Sequence, residues 1–249
     1  MKKYFKVLFY ILLLILLGCS IPNEKNINVL VVTGGKKMDT LAVKTMFDQF
    51  NHISYATKSQ PEANNIYLSS AIDSIDVIVY YDVVQEINEE QKEKFLKVLS
   101  KGKGLVFLHH ALVSYQKWSE YEKIIGGKYY KILDDGDSLK VTPSTYKHDV
   151  KIPIHIVDNN HPITRGIKDF TILDEVYKKY SVSADVNPIL TTNHPDNEKI
   201  MGWTHMYKKS RIVYLQLGDR GETFSNPVFR KLVSRSIEWT ATNDVSILE

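Results

Sequence analysis

The feature that most limits how this chain can fold is the alternation, along its first half, of short uninterrupted apolar runs with amphipathic stretches. Asn28-Val29-Leu30-Val31-Val32 ends at Thr33-Gly34-Gly35, Asp76-Val77-Ile78-Val79-Tyr80-Tyr81 stops at Asp82, and Leu105-Val106-Phe107-Leu108 runs into His109-His110. Ile53 to Ala56 is a further run of this kind. Between the runs, Leu41, Met46, Phe47 and Phe50 share roughly one helical face. Asn88 caps a second helix, whose Phe95, Leu96 and Leu99 face inward and which ends at Lys101-Gly102-Lys103-Gly104. Strands apolar on both faces need cover on both faces, and crossover helices supply that cover between parallel strands. The pattern predicts an α/β domain with a doubly wound, mostly parallel sheet. The second half is less regular. Residues 128–160 predict a small inserted β region with short strands such as 150–157, then strands near 189–192, 200–204 and 211–216. A closing helix at about 226–240 carries Phe229, Leu232, Val233, Ile237 and Trp239.

In open α/β sheets a ligand sits beyond the carboxyl ends of the strands, where strand order reverses. The strand ends here deliver Gly34-Gly35, Tyr81-Asp82, His109-His110 and, from a later strand, Gly218-Asp219. Duller roles compete. Gly34-Gly35 suits a strand-to-helix turn and lacks the third spaced glycine of a dinucleotide fingerprint. Adjacent strand residues point to opposite faces, so one of His109 and His110 should face the crevice and the other the packing. The remaining histidines (His52, His148, His155, His161, His194 and His205) form no close pair of the kind that marks a zinc helix, so no metal ligand is assigned. A divalent metal such as zinc, held by residues from distant loops, stays open. Asp174-Glu175 are adjacent acids within an apolar stretch (Ile172, Leu173, Val176). They are either proton-transfer groups or surface ion pairs with Lys168, Lys178 or Arg165.

The N-terminus carries a different kind of signal. Lys2, Lys3 and Lys6 precede an apolar run from Val7 to Leu17, which closes at Leu16-Leu17-Gly18-Cys19. That is the layout of a secretory signal, and the run is shorter than the roughly 20 residues a membrane-spanning helix needs. Leu-Leu-Gly-Cys resembles the lipobox of bacterial lipoproteins, which implies a signal peptide over residues 1–18, acylation of Cys19 by chains such as palmitate, and a polar tether over 19–26. Ser20, rather than Asp, follows the cysteine. By resemblance to Gram-negative sorting rules this favours an outer-membrane lipoprotein, periplasmic or cell-surface. Cys19 is the chain's only cysteine, so no disulfide within one molecule and no catalytic or metal-binding thiol is available. Residues 1–18 hold three of the 32 Lys+Arg and none of the 29 Asp+Glu, so the rest of the chain is formally balanced. No nucleic-acid partner is expected of it.

Several blocks taken together resemble the ThuA-like (trehalose-utilisation) family. These are Gly104 to His109, Ile125-Gly126-Gly127-Lys128-Tyr129-Tyr130, His161-Pro162-Ile163-Thr164-Arg165-Gly166, Asp174-Glu175-Val176-Tyr177, Tyr214 to Gly218, and Asn226-Pro227-Val228-Phe229 to Trp239. The resemblance spans residues 27–241, within a domain of residues 27–243. It implies a flavodoxin-like, class I glutamine-amidotransferase-like fold and a role in disaccharide or keto-sugar catabolism. True amidotransferases of this fold place a nucleophilic Cys after the strand that ends here at His109. None is present, and no Gly-x-Ser-x-Gly elbow replaces it. Expected instead is acid–base processing (hydrolysis, elimination or isomerisation) with His109 as the central proton-transfer group, Glu175 its partner and Asp174 orienting one of them. Tyr81, Tyr177, Trp203 and Gln216 would supply an aromatic face and hydrogen bonds for a carbohydrate. Gly34, Gly35, Asp82, His110, His161 and Asp219 complete the candidate substrate-binding set. The alternative is a non-catalytic sugar-binding module that delivers substrate to partner enzymes, and a homo-oligomer is compatible with either. Family members often show Gly-His-Asp where this chain has Gly218-Asp219-Arg220, which implies an altered or lost contact there.

Overall fold

A computed structural model of the chain describes residues 26–131 and 142–242. Its strands are β1 (Ile27–Gly34), β2 (Ile53–Gln60), β3 (Val77–Asp82), β4 (Gly104–Leu108), β5 (Gly127–Lys128), β6 (Thr145–Ile156), β7 (Phe170–Lys178), β8 (Ser181–Val182), β9 (Asn187–Thr191), β10 (Ile200–Tyr207) and β11 (Ser210–Leu215). Its helices are α1 (Thr40–Phe47), α2 (Glu89–Ser100), α3 (Ser119–Ile125) and α4 (Pro227–Thr242), with short 3-10 turns between. Nine strands form one mixed sheet in the order β2-β1-β3-β4-β11-β10-β9-β6-β7, and β5 pairs with β8 apart from it. The run from β2 to β11 is parallel. From β11 to β7 every pairing is antiparallel.

The parallel half follows from its composition. Alternate residues of β1, β3, β4 and β11 go to opposite faces, and both faces are apolar. Val29, Val31, Val79, Val106 and Leu215 pack under α1 and α4, against Met46, Phe47, Phe229, Leu232 and Ile237. Leu30, Val32, Ile78, Phe107 and Tyr214 pack under α2 and α3, against Phe95, Leu99, Ile124 and Ile125. Each such side chain contributes roughly 1.5–3 kcal/mol by leaving water. Asn88 caps α2 as its sequence predicts, accepting from Gln91 N at 2.9 Å, while the Gln91 side chain accepts from Asn88 N at 3.0 Å.

The second half departs from expectation in its strands. The short strand foreseen at 150–157 is the end of a twelve-residue strand that belongs to the main sheet, and the small separate piece is β5 with β8. Asp174 and Glu175 lie on a full strand, β7, in a stretch for which the sequence pattern predicts no element. Gly126 and Gly127 are needed for close approach. A Cβ on Gly126 would stand 2.9 Å from Trp203 Nε1, and one on Gly127 2.6 Å from Ser181 O. No helix among the described residues is long and apolar enough to cross a membrane. The export signal, Cys19 and the tether up to residue 25 lie outside the described residues.

Candidate functional site

β4 ends at Leu108, and the chain turns so sharply there that His109 takes a positive φ of 45°. A non-glycine residue reaches that region only when its surroundings hold it. The holding bonds are visible. His109 Nδ1 donates to the Gln216 carbonyl, and Nε2 lies 2.8 Å from Glu175 Oε2 and 3.0 Å from the Tyr177 hydroxyl. The imidazole also stacks on Tyr177, with centroids 4.9 Å apart. This turn overrides the strand alternation. His110 does not face away: its ring stands perpendicular to that of His109 at 4.0 Å, and both Nε2 atoms lie 3.7 Å from Asp219 Oδ1. His110 Nε2 is also 3.9 Å from Glu175 Oε2 and accepts a hydrogen bond from the Lys36 ammonium.

The pleat of β7 separates its two acids. Glu175 and Tyr177, two residues apart, share the face that meets His109. Asp174 points the other way and is fully buried. Its Oδ1 accepts from Glu175 N (2.8 Å) and Asp219 N (3.0 Å), and its Oδ2 from Gly218 N (2.9 Å) and Thr223 Oγ1 (2.9 Å). Four donors occupy its oxygens. Asp174 therefore shapes the Gly218–Asp219 turn and holds Glu175 through its backbone N, without touching the side chain of His109 or Glu175. On β6 the register opposite β7 slips between Lys147 and Val150, so His148 and Asp149 form a bulge, with Asp149 at φ 58°. The bulge aims His148 at the cluster. Its Nδ1 lies 3.1 Å from Glu175 Oε1 and 2.9 Å from Asp219 Oδ2.

Burial and charge set the protonation states. Burial opposes an imidazolium at His109, but the carboxylates of Asp219 and Glu175 outweigh it and carry the group up to about 9. His110 is pushed far down, first by burial and then by His109, Lys36 and His148. Burial raises the Asp219 carboxyl, yet His109 and His148 more than reverse this and bring it to about 2. A cavity of about 260 Å³ opens onto the cluster, lined by His110, His148, Glu175 and Tyr177 with Tyr129, Tyr146 and Lys36. His109 has no exposure and sits behind Glu175. The group that a ligand can touch is therefore Glu175, with His109 as its partner from within.

Of the residues the sequence singles out, His109, His110, Glu175, Tyr177 and Asp219 come together. The others do not. Gly34 and Gly35 have positive φ and make the turn after β1, where a Cβ on Gly35 would lie 1.3 Å from Val83 O. Asp82 is fully buried away from the cavity wall, with its Oδ2 accepting from Gln60 Nε2 at 2.8 Å. Tyr81 is buried edge-on against Phe224, its centroid 6.4 Å from His110. Trp203 is a core residue whose Nε1 donates to Ile125 O at 2.8 Å. The Gln216 side chain ties β11 to Asn197, Tyr180 and the Glu175 backbone carbonyl (3.3 Å), and its own carbonyl holds His109, so it braces the site without lining the cavity. His161 makes a turn, with its Nδ1 accepting from Ile163 N and its ring against Trp239. The sequence misses His148, Lys36, Tyr129 and Tyr146. Tyr129 at least falls in one of the family blocks, whereas His148 sits in a bulge that no periodicity announces. His109, His110, Glu175 and Asp219 each offer one ligand atom, and these four atoms lie within 4.8 Å of one another, close enough to hold a metal ion. No search for close pairs finds that set.

The sequence signature of trehalose-utilisation (ThuA) proteins matches residues 28–240. The chain belongs to the ThuA family. A search of curated proteins finds no match. Among solved structures, a ThuA-like protein from Parabacteroides merdae shares the fold at a TM-score of 0.75 and 19% identity, over 90% of this chain and 93% of that one. A ThuA-like protein from Bacteroides uniformis follows at 0.67 and 16%, over 91% and 96%. A cytoplasmic protein from Salmonella typhimurium gives 0.58 and 15%, over 86% and 98%. At these identities the likeness shows the fold, and family membership ties the chain to carbohydrate use in general terms.

Two ThuA blocks gain a physical account. In the His161–Gly166 block, the His161 carbonyl accepts from Thr164 N and Arg165 N, and the Arg165 carbonyl accepts from Arg235 on α4 at 2.6 Å. That block fastens a turn to the last helix and stays outside the cleft. At Gly218-Asp219-Arg220, Asp219 keeps a polar group on the cluster, and Arg220 pairs with Asp149 of the bulge. Asp219 thus remains part of the site.

Proposed function

We propose that this ThuA protein processes a sugar by acid–base chemistry in the cleft at the ends of β4, β7 and β11, with a disaccharide or keto-sugar as substrate. One observation carries it. The Glu175 carboxylate stands at the cavity wall, bound by His109 from within at 2.8 Å and approached by His148 at 3.1 Å. A carboxylate held between two imidazoles can take a proton from a sugar hydroxyl or acidic C–H and return it elsewhere. Tyr129, Tyr146 and Tyr177 give the cavity aromatic surface of the kind that carbohydrates pack against. His109 acts here as a positioning group for Glu175, and the reaction is hydrolysis, elimination or isomerisation without a protein nucleophile. The N-terminal pattern up to Cys19 supports an activity outside the cytoplasm, on a lipid anchor.

The test is a product screen of the purified full chain against disaccharides and their 3-keto forms, read by mass spectrometry. A product that fails to form with Glu175→Gln supports the proposal. Saturable binding without product from any sugar overturns it in favour of a delivery module. For the anchor, wild-type protein should take up a fatty-acid label and sediment with membranes, and Cys19→Ala should do neither. Label that persists on Cys19→Ala rules the lipobox out.

A further inference from the structure

We propose that His109, His110, Glu175 and Asp219 form a binding site for one divalent metal ion of the zinc type. The spacing fits. A tetrahedral ion with bonds of about 2.0–2.1 Å sets its ligand atoms about 3.3 Å apart. Here His109 Nε2 is 2.8 Å from Glu175 Oε2 and 3.7 Å from Asp219 Oδ1, while His110 Nε2 is 3.9 Å and 3.7 Å from the same two oxygens. Those distances bracket the required edge, and all four atoms fall within 4.8 Å. Two imidazole nitrogens and two carboxylate oxygens also suit a borderline ion better than magnesium or calcium, which prefer all-oxygen shells.

The orientation of the lone pairs points the same way. His109 spends its Nδ1 proton on the Gln216 carbonyl, which directs Nε2 into the cluster, the arrangement that holds ligating histidines in other metal sites. His110 is 6% exposed, its Nδ1 has no partner, and its Nε2 is aimed at the same point. What meets that Nε2 is the ammonium of Lys36, an exposed and flexible side chain. A cation thus already stands at the mouth of the cluster, on a tether that can swing away. Around the four ligands, His148 Nδ1 reaches the outer oxygens of both carboxylates, at 2.9 Å on Asp219 and 3.1 Å on Glu175. Such an outer partner holds a ligating carboxylate in place. His110 and Glu175 belong both to the cluster and to the cavity wall, so an ion held there meets a ligand oxygen entering the cavity. This goes beyond the sugar-processing proposal, and it stands whether or not the ligand is a sugar.

The test is calorimetric titration of tag-free, chelator-treated full chain with zinc chloride, with magnesium as a control, together with thermal melting. One zinc per chain is expected, with a rise in Tm that magnesium does not give. His110→Ala and Asp219→Ala should each abolish stoichiometric binding, with circular dichroism checking that they fold. His148→Ala should weaken binding by about 10–100-fold. Lys36→Met cannot disturb the core and should tighten binding, because the competing ammonium is gone. Absence of stoichiometric zinc in the wild type, zinc retained by both ligand variants, or unchanged affinity in Lys36→Met overturns the site. The two proposals fail separately. Zinc bound without sugar turnover leaves this site standing, whereas turnover by a protein that binds no zinc removes it and spares the acid–base chemistry.

Discussion

Asp174 and Glu175 are neighbours on β7, and the pleat sends one carboxylate to the cleft and the other into a nest of four donors. A buried acceptor so fully engaged is costly to remove, because Gly218 N, Asp219 N, Glu175 N and the Thr223 hydroxyl all lose their partner. Asp174→Ala should therefore destabilise the fold by roughly 3 kcal/mol or more in urea denaturation. A loss under 1 kcal/mol would show that the nest is replaceable. Asp82 supplies a second residue-scale prediction. Its carboxyl is fully buried, Gln60 is its side-chain donor, Oδ1 has no partner, and burial pushes it up to about 7 from an ordinary 3.8. Between these values the folded chain keeps a proton that the unfolded chain has lost, so stability falls as pH rises, by at most about 1.4 kcal/mol per pH unit. Below 3.8 this contribution is complete, and above 7 it is gone. Asp82→Asn should flatten that slope in melts between pH 4 and 7, and an unchanged slope would assign it to other groups. At this scale the sequence was partly legible. His109, Glu175 and Asp219 stand out as polar groups at strand ends, but the facing of His110 depends on a positive φ that no periodicity encodes. Asp82 looked like a site residue because it ends an apolar strand. Its carboxyl is instead taken up in a buried network with Gln60, Asn64 and Tyr115.

The bulge in β6 is the element on which the cleft depends most. The ladder on either side leaves His148 and Asp149 together opposite Glu175, so the extra residue sets how His148 is presented to that carboxylate. Deleting Asp149 should restore a regular ladder with His148 directly opposite Glu175, and lower turnover by about 10²-fold by shifting the imidazole from its place between Glu175 and Asp219. The Tm should stay within a few degrees, since the lost Arg220–Asp149 pair is exposed. A large drop in Tm would mean that the bulge serves folding instead. Strands β1, β3, β4 and β11 and helices α2 and α4 were readable because buried parallel strands are continuous apolar runs and α2 carries its own cap. Strand β7 was hidden, since two acids and a lysine interrupt it, and β6 was read short because Lys147, His148 and Asp149 break its pattern.

For the molecule as a whole, the parallel half provides a rigid platform, and the antiparallel extension brings β6 and β7 around to face its carboxyl ends. The cleft exists because β7, at one end of the sheet order, returns Glu175 to His109, 66 residues away in sequence. The family blocks made the overall fold legible, because glycines and turn residues at fixed places report close approaches such as Gly126 against Trp203. They left the site half-read, because a cleft assembled from four separate segments has no local spacing. Glu175 is the group on which the proposed proton transfer depends. The most direct measurement is the steady-state rate of wild type and Glu175→Gln on whichever sugar the screen turns over. A fall in kcat of about 10²–10⁴-fold, with KM changed only a few-fold, is the predicted result. A kcat within threefold of wild type would contradict the account.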